Sequence, residues 1–396
     1  MKKVLLAVTS GIACYKALDV CSGLKKKGYD VTVIMSENAS KLISPLLFQI
    51  LTGNKVHTEL FSLEDTKVTH INLIKENDLV VIVPATLNII SKLACGINDD
   101  FISTTLSATD PYKTLIFPAM NTRMYEGFAC KENLEKLRKY GFTIIEPDSG
   151  LLACGDTGKG KLPQVNDIID EIVFNLEKSN ILKGKNILIT AGGTKEKIDP
   201  VRYITNKSSG KMGYALARQA AFLGANVTLI STDTNLNIPN HLKTFIKVSS
   251  AEQMYNEVMN YHKNQDLIIM AAAISDFKVK NYSQHKIKKS EMKELKLDLE
   301  LNKDILFELS KIEPRDFTLV GFAAESQNLK ENALKKLKNK NLDYIIANDI
   351  SNQAIGFDSD LNKVFIYDKE LNESEIEMNT KDIVAKSILI NIFDKL

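Results

Sequence analysis

ITAGGTKEKIDPVRYITNKSSGKMG, residues 189–213, joins a short apolar strand to a helix through a long polar loop with two glycine clusters. Asn186 to Thr190 supply the strand, and Ala191, Gly192 and Gly193 a turn where the backbone can approach a ligand. Ser208, Ser209 and Gly210 start the helix, where exposed N–H groups and the helix dipole favour an anion. Leu216, Ala220 and Leu223 share one helical face, Gly224 ends the helix, and the apolar strand Val227 to Ile230 follows. This is a βαβ unit, and it begins in the middle of the chain.

A second such unit opens the chain. Lys3 to Val8 is an apolar strand, Thr9, Ser10 and Gly11 a turn, and Ala13, Ala17, Cys21 and Leu24 a helical stripe closed by Gly28 before the strand Val31 to Met35. Neither turn has the GxGxxG or GxxxxGK[ST] spacing, so each reads equally as a tight connection or as a phosphate cradle.

With 396 residues the chain exceeds one ordinary core and predicts two domains. A formal net charge of +2 gives no reason to invoke nucleic acid or a membrane surface. The cysteines at 14, 21, 95, 130 and 154 show no CxxC pairing, so neither a disulfide framework nor a zinc site is indicated and a reducing cytoplasm fits. The start, MKKVLLAVTSGIAC, has a basic end and an apolar run, but the run is about half a secretory h-region and the helical stripe continues through Cys14. No apolar run approaches the roughly 20 residues of a membrane span.

Up to residue 177 the apolar strands Leu79 to Val83, Thr114 to Phe117 and Thr143 to Ile145 alternate with helical stretches, as in a parallel sheet covered on both faces. The expected division is 1–177, a polar linker 178–185, and 186–396. The second part continues with the apolar runs Leu267 to Ala273, Phe317 to Phe322, Tyr344 to Ala347 and Val364 to Tyr367, and an amphipathic helix from about Thr380. The fold class is therefore α/β, two Rossmann-like domains with mainly parallel sheets. The basic segment Lys278 to Lys293 reads either as a solvated surface loop or as a flap over an anion.

Four positions invite chemistry. His70 begins the segment before the strand at 79 and reads as a structural or exposed histidine or as a base near neutral pH. Asn121 follows the strand 114–117, at the carboxyl end where open α/β sheets bind ligands. Cys154 lies in GLLACGDTGKGKLP, a glycine-rich stretch without periodicity, and reads as an inert thiol or as a proton donor or redox partner. Asp276 follows a wholly apolar strand and reads as a helix cap or a ligand-binding carboxylate.

SGIACYK, PAT at 84–86, PAMNTRMY and LLACGDTGKGKL resemble flavin-containing cysteine decarboxylases. ITAGGT, DPVRYITNKSSGKMG, AAAISDF, KIKK and GFAAE resemble phosphopantothenate-cysteine ligases. The chain thus resembles, from about residue 3 to 390, the bifunctional phosphopantothenoylcysteine decarboxylase/phosphopantothenate-cysteine ligase family of coenzyme A synthesis. The resemblance implies an enzyme that joins 4′-phosphopantothenate to cysteine through an acyl-cytidylate made from CTP. It then implies FMN-dependent decarboxylation to 4′-phosphopantetheine, in which the cysteinyl thiol is oxidised to a thioaldehyde, carboxylate is lost, and the enethiol is protonated and reduced.

By resemblance His70 is the base, Asn121 binds the substrate carboxylate and Cys154 donates a proton. Ser10, Gly11, Ile12 and Ser36 hold the FMN phosphate, Pro84, Ala85, Thr86 and Asn88 lie near the flavin, and Ser103 and Thr104 lie beside it. Asn206 serves conversion of the acyl-cytidylate with cysteine, and Lys286 its formation, where an ammonium neutralises developing charge. Gly192, Ser208, Ser209, Gly210, Ala272, Ala273, Phe277, Phe322, Lys288 and Lys289 complete the nucleotide set. Asp276 lies by the nucleotide and its Mg²⁺. Asn348 and Asp349 match the family without an assigned role. Tyr125 stands where many single-domain relatives carry Trp. A homo-oligomer of trimeric flavin domains and dimeric ligase domains is implied as well. Two other readings remain: an FMN-binding regulatory protein without turnover and, for the first half alone, a decarboxylase of peptide C-terminal cysteine.

Overall fold

The computed structural model describes residues 1–60, 68–288, 294–325, 327–349 and 359–394. The chain divides into two compact units, Met1–Glu177 and Lys178–Leu396.

In the first unit, β1 (Lys3–Val8), β2 (Asp30–Met35), β3 (Val56–His57), β4 (Leu79–Ala85), β5 (Thr114–Pro118) and β6 (Thr143–Ile144) form a parallel sheet in the order β3-β2-β1-β4-β5-β6. Such strands are covered on both faces, which is why KVLLAV and LVVIVPA are apolar almost throughout rather than alternating. Val4, Leu6 and Val8 of β1 pack on one side with Ala17, Cys21 and Leu24, while Leu5 and Ala7 pack on the other with Ile90 and Ile102. The order reverses between β1 and β4, so a crevice opens at their carboxyl ends. There Thr9 Oγ1 donates to Pro84 O (2.7 Å), and Thr86 N donates back to Thr9 Oγ1 (3.2 Å).

Past β6, a two-stranded hairpin, β7 (Asp148–Leu151) and β8 (Thr157–Lys161), replaces the irregular loop expected around Cys154. Its pairing is a backbone matter, so a strand such as TGKGK carries no apolar alternation to announce it. The expected first helix is also modified. Ile12–Tyr15 is a 3₁₀ turn that takes up Ala13, and the α-helix runs over Lys16–Lys26.

The second unit holds β9 (Asn186–Ala191), β10 (Lys195–Lys197), β11 (Tyr203–Thr205), β12 (Asn226–Ser231), β13 (Thr244–Lys247), β14 (Leu267–Met270), β15 (Phe277–Val279), β16 (Leu299–Leu301), β17 (Thr318–Glu325), β18 (Tyr344–Asp349), β19 (Leu361–Asp368) and β20 (Glu373–Thr380). Its main sheet has the order β13-β12-β9-β14-β17-β18-β19-β20 and is parallel as far as β18. β19 and β20 extend it antiparallel. The polar stretch ESEIEMNT of β20, largely exposed, gave no strand signal in the sequence. The reversal falls between β9 and β14. The polar loop after β9 contains the hairpin β10–β11, and the following helix starts at Lys211, with Gly210 as its N-cap and Ser208 and Ser209 ahead of it.

Candidate active sites

In the first unit Ala119 N donates to Ala85 O (3.0 Å), so PAMN leaves β5 beside the end of β4. Asn121 caps the short helix Thr122–Glu126 by accepting Arg123 N–H at Oδ1 (2.8 Å), which aims its amide nitrogen outward. That nitrogen donates to Cys154 Sγ (3.2 Å) and to Asp156 Oδ2 (3.0 Å) across 33 and 35 residues of chain. Cys154 Sγ is itself 3.5 Å from the same carboxylate oxygen. Burial pushes the thiols of Cys14, Cys21 and Cys130 up, Cys21 to about 12, which leaves them unreactive, whereas Cys95 and Cys154 are exposed.

The hairpin β7–β8 is seated on PAMN by backbone contact. Met120 N donates to Gly160 O (3.0 Å), and a Cβ on Gly160, whose φ is +137°, would lie 2.3 Å from Met120 O. Only glycine permits that approach. A second tie runs through Glu146, which accepts from Tyr125 Oη (2.6 Å) and Lys159 Nζ (2.6 Å) and pairs with Arg138. Burial raises the Glu146 carboxyl, but the bonds from Lys159 and Tyr125 and the charges of Lys159 and Arg138 outweigh it and hold the group below its usual range. Burial, with Glu146 second, drives the Tyr125 hydroxyl upward. Tyr125 therefore uses its hydroxyl to tie the PAMN helix to the base of the hairpin.

A cavity of about 330 Å³ lies between Gly11–Lys16, Ala119–Asn121, Leu151–Cys154 and Gly160–Leu162. It joins the expected residues Gly11, Ile12, Asn121 and Cys154, and adds Met120 and Leu152 to its wall. His70, partly buried on the helix Thr69–Glu76, is not in that wall. Pro84 and Ala85 are buried, and Thr86 stands at the N-terminal boundary of the helix Leu87–Cys95 without a side-chain capping bond. Ser10 is partly buried and Asn88 exposed. Ser36 caps its own helix by accepting Ala39 N–H (3.2 Å), and Ser103, fully buried, closes a capping box with Asp100. Thr104 is partly buried, its hydroxyl 3.4 Å from Asn98 O.

In the second unit the loops after β9 and β14 run side by side. Ala273 N donates to Gly192 O (2.8 Å), Ser275 N to Thr194 Oγ1 (2.9 Å) and Ala272 N to Thr190 Oγ1 (3.2 Å). Asn206 Nδ2 donates to Ile274 O (2.9 Å), bringing the end of the long polar loop onto AAAISD. Between them lies a cavity of about 470 Å³ lined by Asn206, Ser208, Ser209, Gly210, Ala272, Ala273, Asp276, Phe322 and Asn348. Of the two readings of Asp276, the helix cap fails, because the strand β15 follows it. Gly192, in the turn after β9, has φ +82°. Phe277, Lys286 and Lys288 are exposed and outside the cavity wall, and Lys289 lies outside the described residues. Asp349 ends β18.

Lys336 was not anticipated. It sits on the amphipathic helix Leu329–Asn339, where a lysine reads as part of a solvated face. In the fold it lines the cavity, with Nζ donating to Phe322 O (2.7 Å), and burial lowers its pKa. Asn362 of β19 and Lys381, the first residue of the C-terminal helix Lys381–Phe393, both buried, complete that wall.

Residues 1–177 match the flavoprotein family, and residues 182–396 match the DNA/pantothenate metabolism flavoprotein C-terminal domain. The coenzyme A biosynthesis bifunctional protein CoaBC of Bacillus subtilis is 44% identical over 99% of this chain and 96% of its own length. That of Borreliella burgdorferi is 42% identical over 98% of each. The chain belongs to the family of coenzyme A biosynthesis bifunctional proteins. A solved C-terminal domain of a CoaBC protein is 42% identical over 54% of this chain and 96% of that one, with a TM-score of 0.46. Within the family the first unit is the flavoprotein half and the second the C-terminal half. Among the described residues no helix is long and apolar enough to cross a membrane, and no group of three or more His, Cys, Asp or Glu side chains could hold a metal ion.

Proposed function

We propose that the chain carries out two consecutive steps in coenzyme A synthesis, ligating 4′-phosphopantothenate to cysteine with CTP and then decarboxylating the product to 4′-phosphopantetheine. The observation that carries this reading is the Asn121–Cys154 contact at the edge of an apolar cavity, in a chain whose other half has a nucleotide-sized cavity at its own sheet reversal.

In the ligase half, residues 186–396, the phosphates of CTP lie along Ser208, Ser209 and Gly210, ahead of a 12-residue helix. Ala272, Ala273 and Phe322 face the base, and Lys336 balances the triphosphate from inside the cavity. Lys286 approaches from the basic loop to assist loss of pyrophosphate, and Asn206 then orients the acyl-cytidylate for cysteine. Mg²⁺ fits the usual pattern of one carboxylate, Asp276, with substrate phosphates supplying other ligands.

In the decarboxylase half, residues 1–177, the apolar cavity beside the Gly11 turn suits FMN, which accepts and returns a hydride when bound. Asn121 donates to the substrate carboxylate, and the hairpin covers the site and presents the Cys154 thiol as proton donor. His70 removes the thiol proton and is supplied by a neighbouring subunit of a trimer. Two facts favour that arrangement: His70 stays out of the Asn121–Cys154 cavity, and Leu46 (59% exposed) and Ile50 (70% exposed) lie bare on the helix Pro45–Thr52. The ligase halves pair as dimers, and the enzyme works in the cytoplasm.

The test supplies the purified chain with phosphopantothenate, cysteine, CTP and Mg²⁺ and follows pyrophosphate and carbon dioxide together. Both products are expected, with carbon dioxide dependent on CTP. Carbon dioxide from added phosphopantothenoylcysteine but no pyrophosphate would remove the ligase reading, and bound FMN with neither product would favour a regulatory flavoprotein.

A further inference from the structure

Asp199, in the turn between β10 and β11, is 1% exposed, and its carboxylate is fully engaged. Oδ1 accepts from Val201 N and Arg202 N (both 2.8 Å), and Oδ2 accepts from Arg202 Nε (3.0 Å) and Nη2 (2.5 Å). The fifth donor comes from 88 residues away: Ile287 N, at 3.2 Å from Oδ2. Arg202 Nη2 then donates to Ile287 O (2.8 Å), so one acid–base pair grips both the N–H and the C=O of a single residue. Ser283 N donates to Ile198 O (3.0 Å), adding a third bond between the same two segments. The residue so gripped is the immediate neighbour of Lys286.

Asp199 is buried while Arg202 is partly exposed, and an ion pair that takes a carboxylate out of water is a poor device for stability alone; its better-attested use is to fix one arrangement. Here the arrangement fixed is that of a backbone carrying an exposed lysine on an extended, basic loop. We infer that Asp199, acting through Arg202 and Ile287, is a positioning residue for Lys286: it holds the Lys286 backbone where its ammonium meets the phosphates when pyrophosphate leaves. The inference rests on the reading of Lys286 as the group that assists formation of the acyl-cytidylate. Asp199 touches neither substrate nor nucleotide in this arrangement.

The test uses full-length Asp199→Asn, Arg202→Lys and Lys286→Gln beside the unaltered chain, in two separated reactions. The first is single-turnover pyrophosphate release from CTP and phosphopantothenate without cysteine. The second is conversion of chemically prepared phosphopantothenoyl-cytidylate by added cysteine. Asp199→Asn is expected to slow the first reaction about 100-fold, the scale of a misplacement near 1 Å, and to leave the second within about twofold. Arg202→Lys keeps the charge but loses the planar fork, so it is expected to slow the first reaction roughly tenfold and spare the second. Because Arg202 is partly exposed, that variant carries the test should Asp199→Asn not fold. Equal slowing of both reactions would overturn the inference, since Asp199 would then merely support the fold around Asn206, and so would an unchanged first reaction. If Lys286→Gln releases pyrophosphate as fast as the unaltered chain, the reading of Lys286 fails first and takes the inference with it, a result distinguishable from failure at Asp199 alone.

Discussion

Replacing Gly160 by alanine tests whether the hairpin must be seated on PAMN for decarboxylation. The new Cβ would lie 2.3 Å from Met120 O, whereas ordinary contact begins at 3.4 Å, so the hairpin and the PAMN segment must part by about 1.1 Å. That separation stretches the 3.0 Å bond from Met120 N to Gly160 O beyond use. Loss of the bond costs about 0.5–1.5 kcal/mol, the overlap about 1–3, and a side chain at φ +137° about 1–3. The terms add to about 2.5–7.5 kcal/mol, an upper figure because detaching the hairpin relieves the overlap and the backbone strain. A bias of even about 3 kcal/mol lowers the ratio of seated to detached hairpin roughly 100-fold. Decarboxylation of preformed phosphopantothenoylcysteine should therefore fall, by up to about 100-fold, with new protease cleavage within 148–161 and ligation unchanged. Gly155 is the internal control: its φ is +87° but a Cβ there meets nothing within 4 Å, so alanine costs only the backbone term, roughly 1–2 kcal/mol, and about tenfold in rate. If Gly160→Ala decarboxylates as fast as Gly155→Ala, the seated hairpin is not required and the reasoning is wrong.

Lys336→Met removes a buried charge from the nucleotide cavity, so the KM for CTP should rise tenfold or more while the melting temperature holds or increases, roughly the usual exchange of function against stability; an unchanged KM would take Lys336 out of the site. The Glu146 tie should be pH-dependent in a defined direction. Its carboxyl is depressed in the fold, so its contribution is complete above the ordinary Glu range and is lost as pH falls through the folded value. Protection factors in 148–161, taken against the intrinsic amide exchange rate at each pH, should fall on acidification from pH 6 to below about 4, and Glu146→Gln should flatten that profile; an equally steep profile in the variant would assign it elsewhere. Cys154→Ser should release pyrophosphate normally yet make no 4′-phosphopantetheine; loss of both reactions from this one change would contradict separate sites.

The main parallel strands and their alternation with helices were legible because strands buried on both faces leave long apolar runs, such as KVLLAV and NILITA, each followed by a glycine-bearing turn, whereas the two sheet reversals emerged only from the fold. β7, β8 and β20 were not legible, since TGKGK and ESEIEMNT pair through their backbones and carry no apolar pattern of their own. For the candidate sites, the legible residues were those after strands whose carboxyl ends bind ligands in open α/β sheets, Gly11, Asn121 and Asp276, each of which lines a cavity. Lys336 looked like one lysine of a solvated helix face, and only its burial against Phe322 distinguishes it from its neighbours. Asp156, two residues past Cys154, had no signal beyond its motif until the fold placed its carboxylate on the Asn121 amide. Asp199 was not singled out in the sequence; its bonds within 199–202 are local turn chemistry, and the bond to Ile287 is not local and left no trace in the pattern.

The sequence by itself determined where the main apolar strands alternate with helices and which family the chain resembles, because burial periodicity and contiguous motifs are local properties. Tertiary structure alone decided that Asn121 meets Cys154, that Glu146 and Gly160 seat the hairpin, that Lys336 enters the nucleotide cavity, and that Asp199 grips the residue beside Lys286. Each of these joins groups brought together by strand order, hairpin docking and close backbone approach, and such distances in space have no counterpart in spacing along the chain.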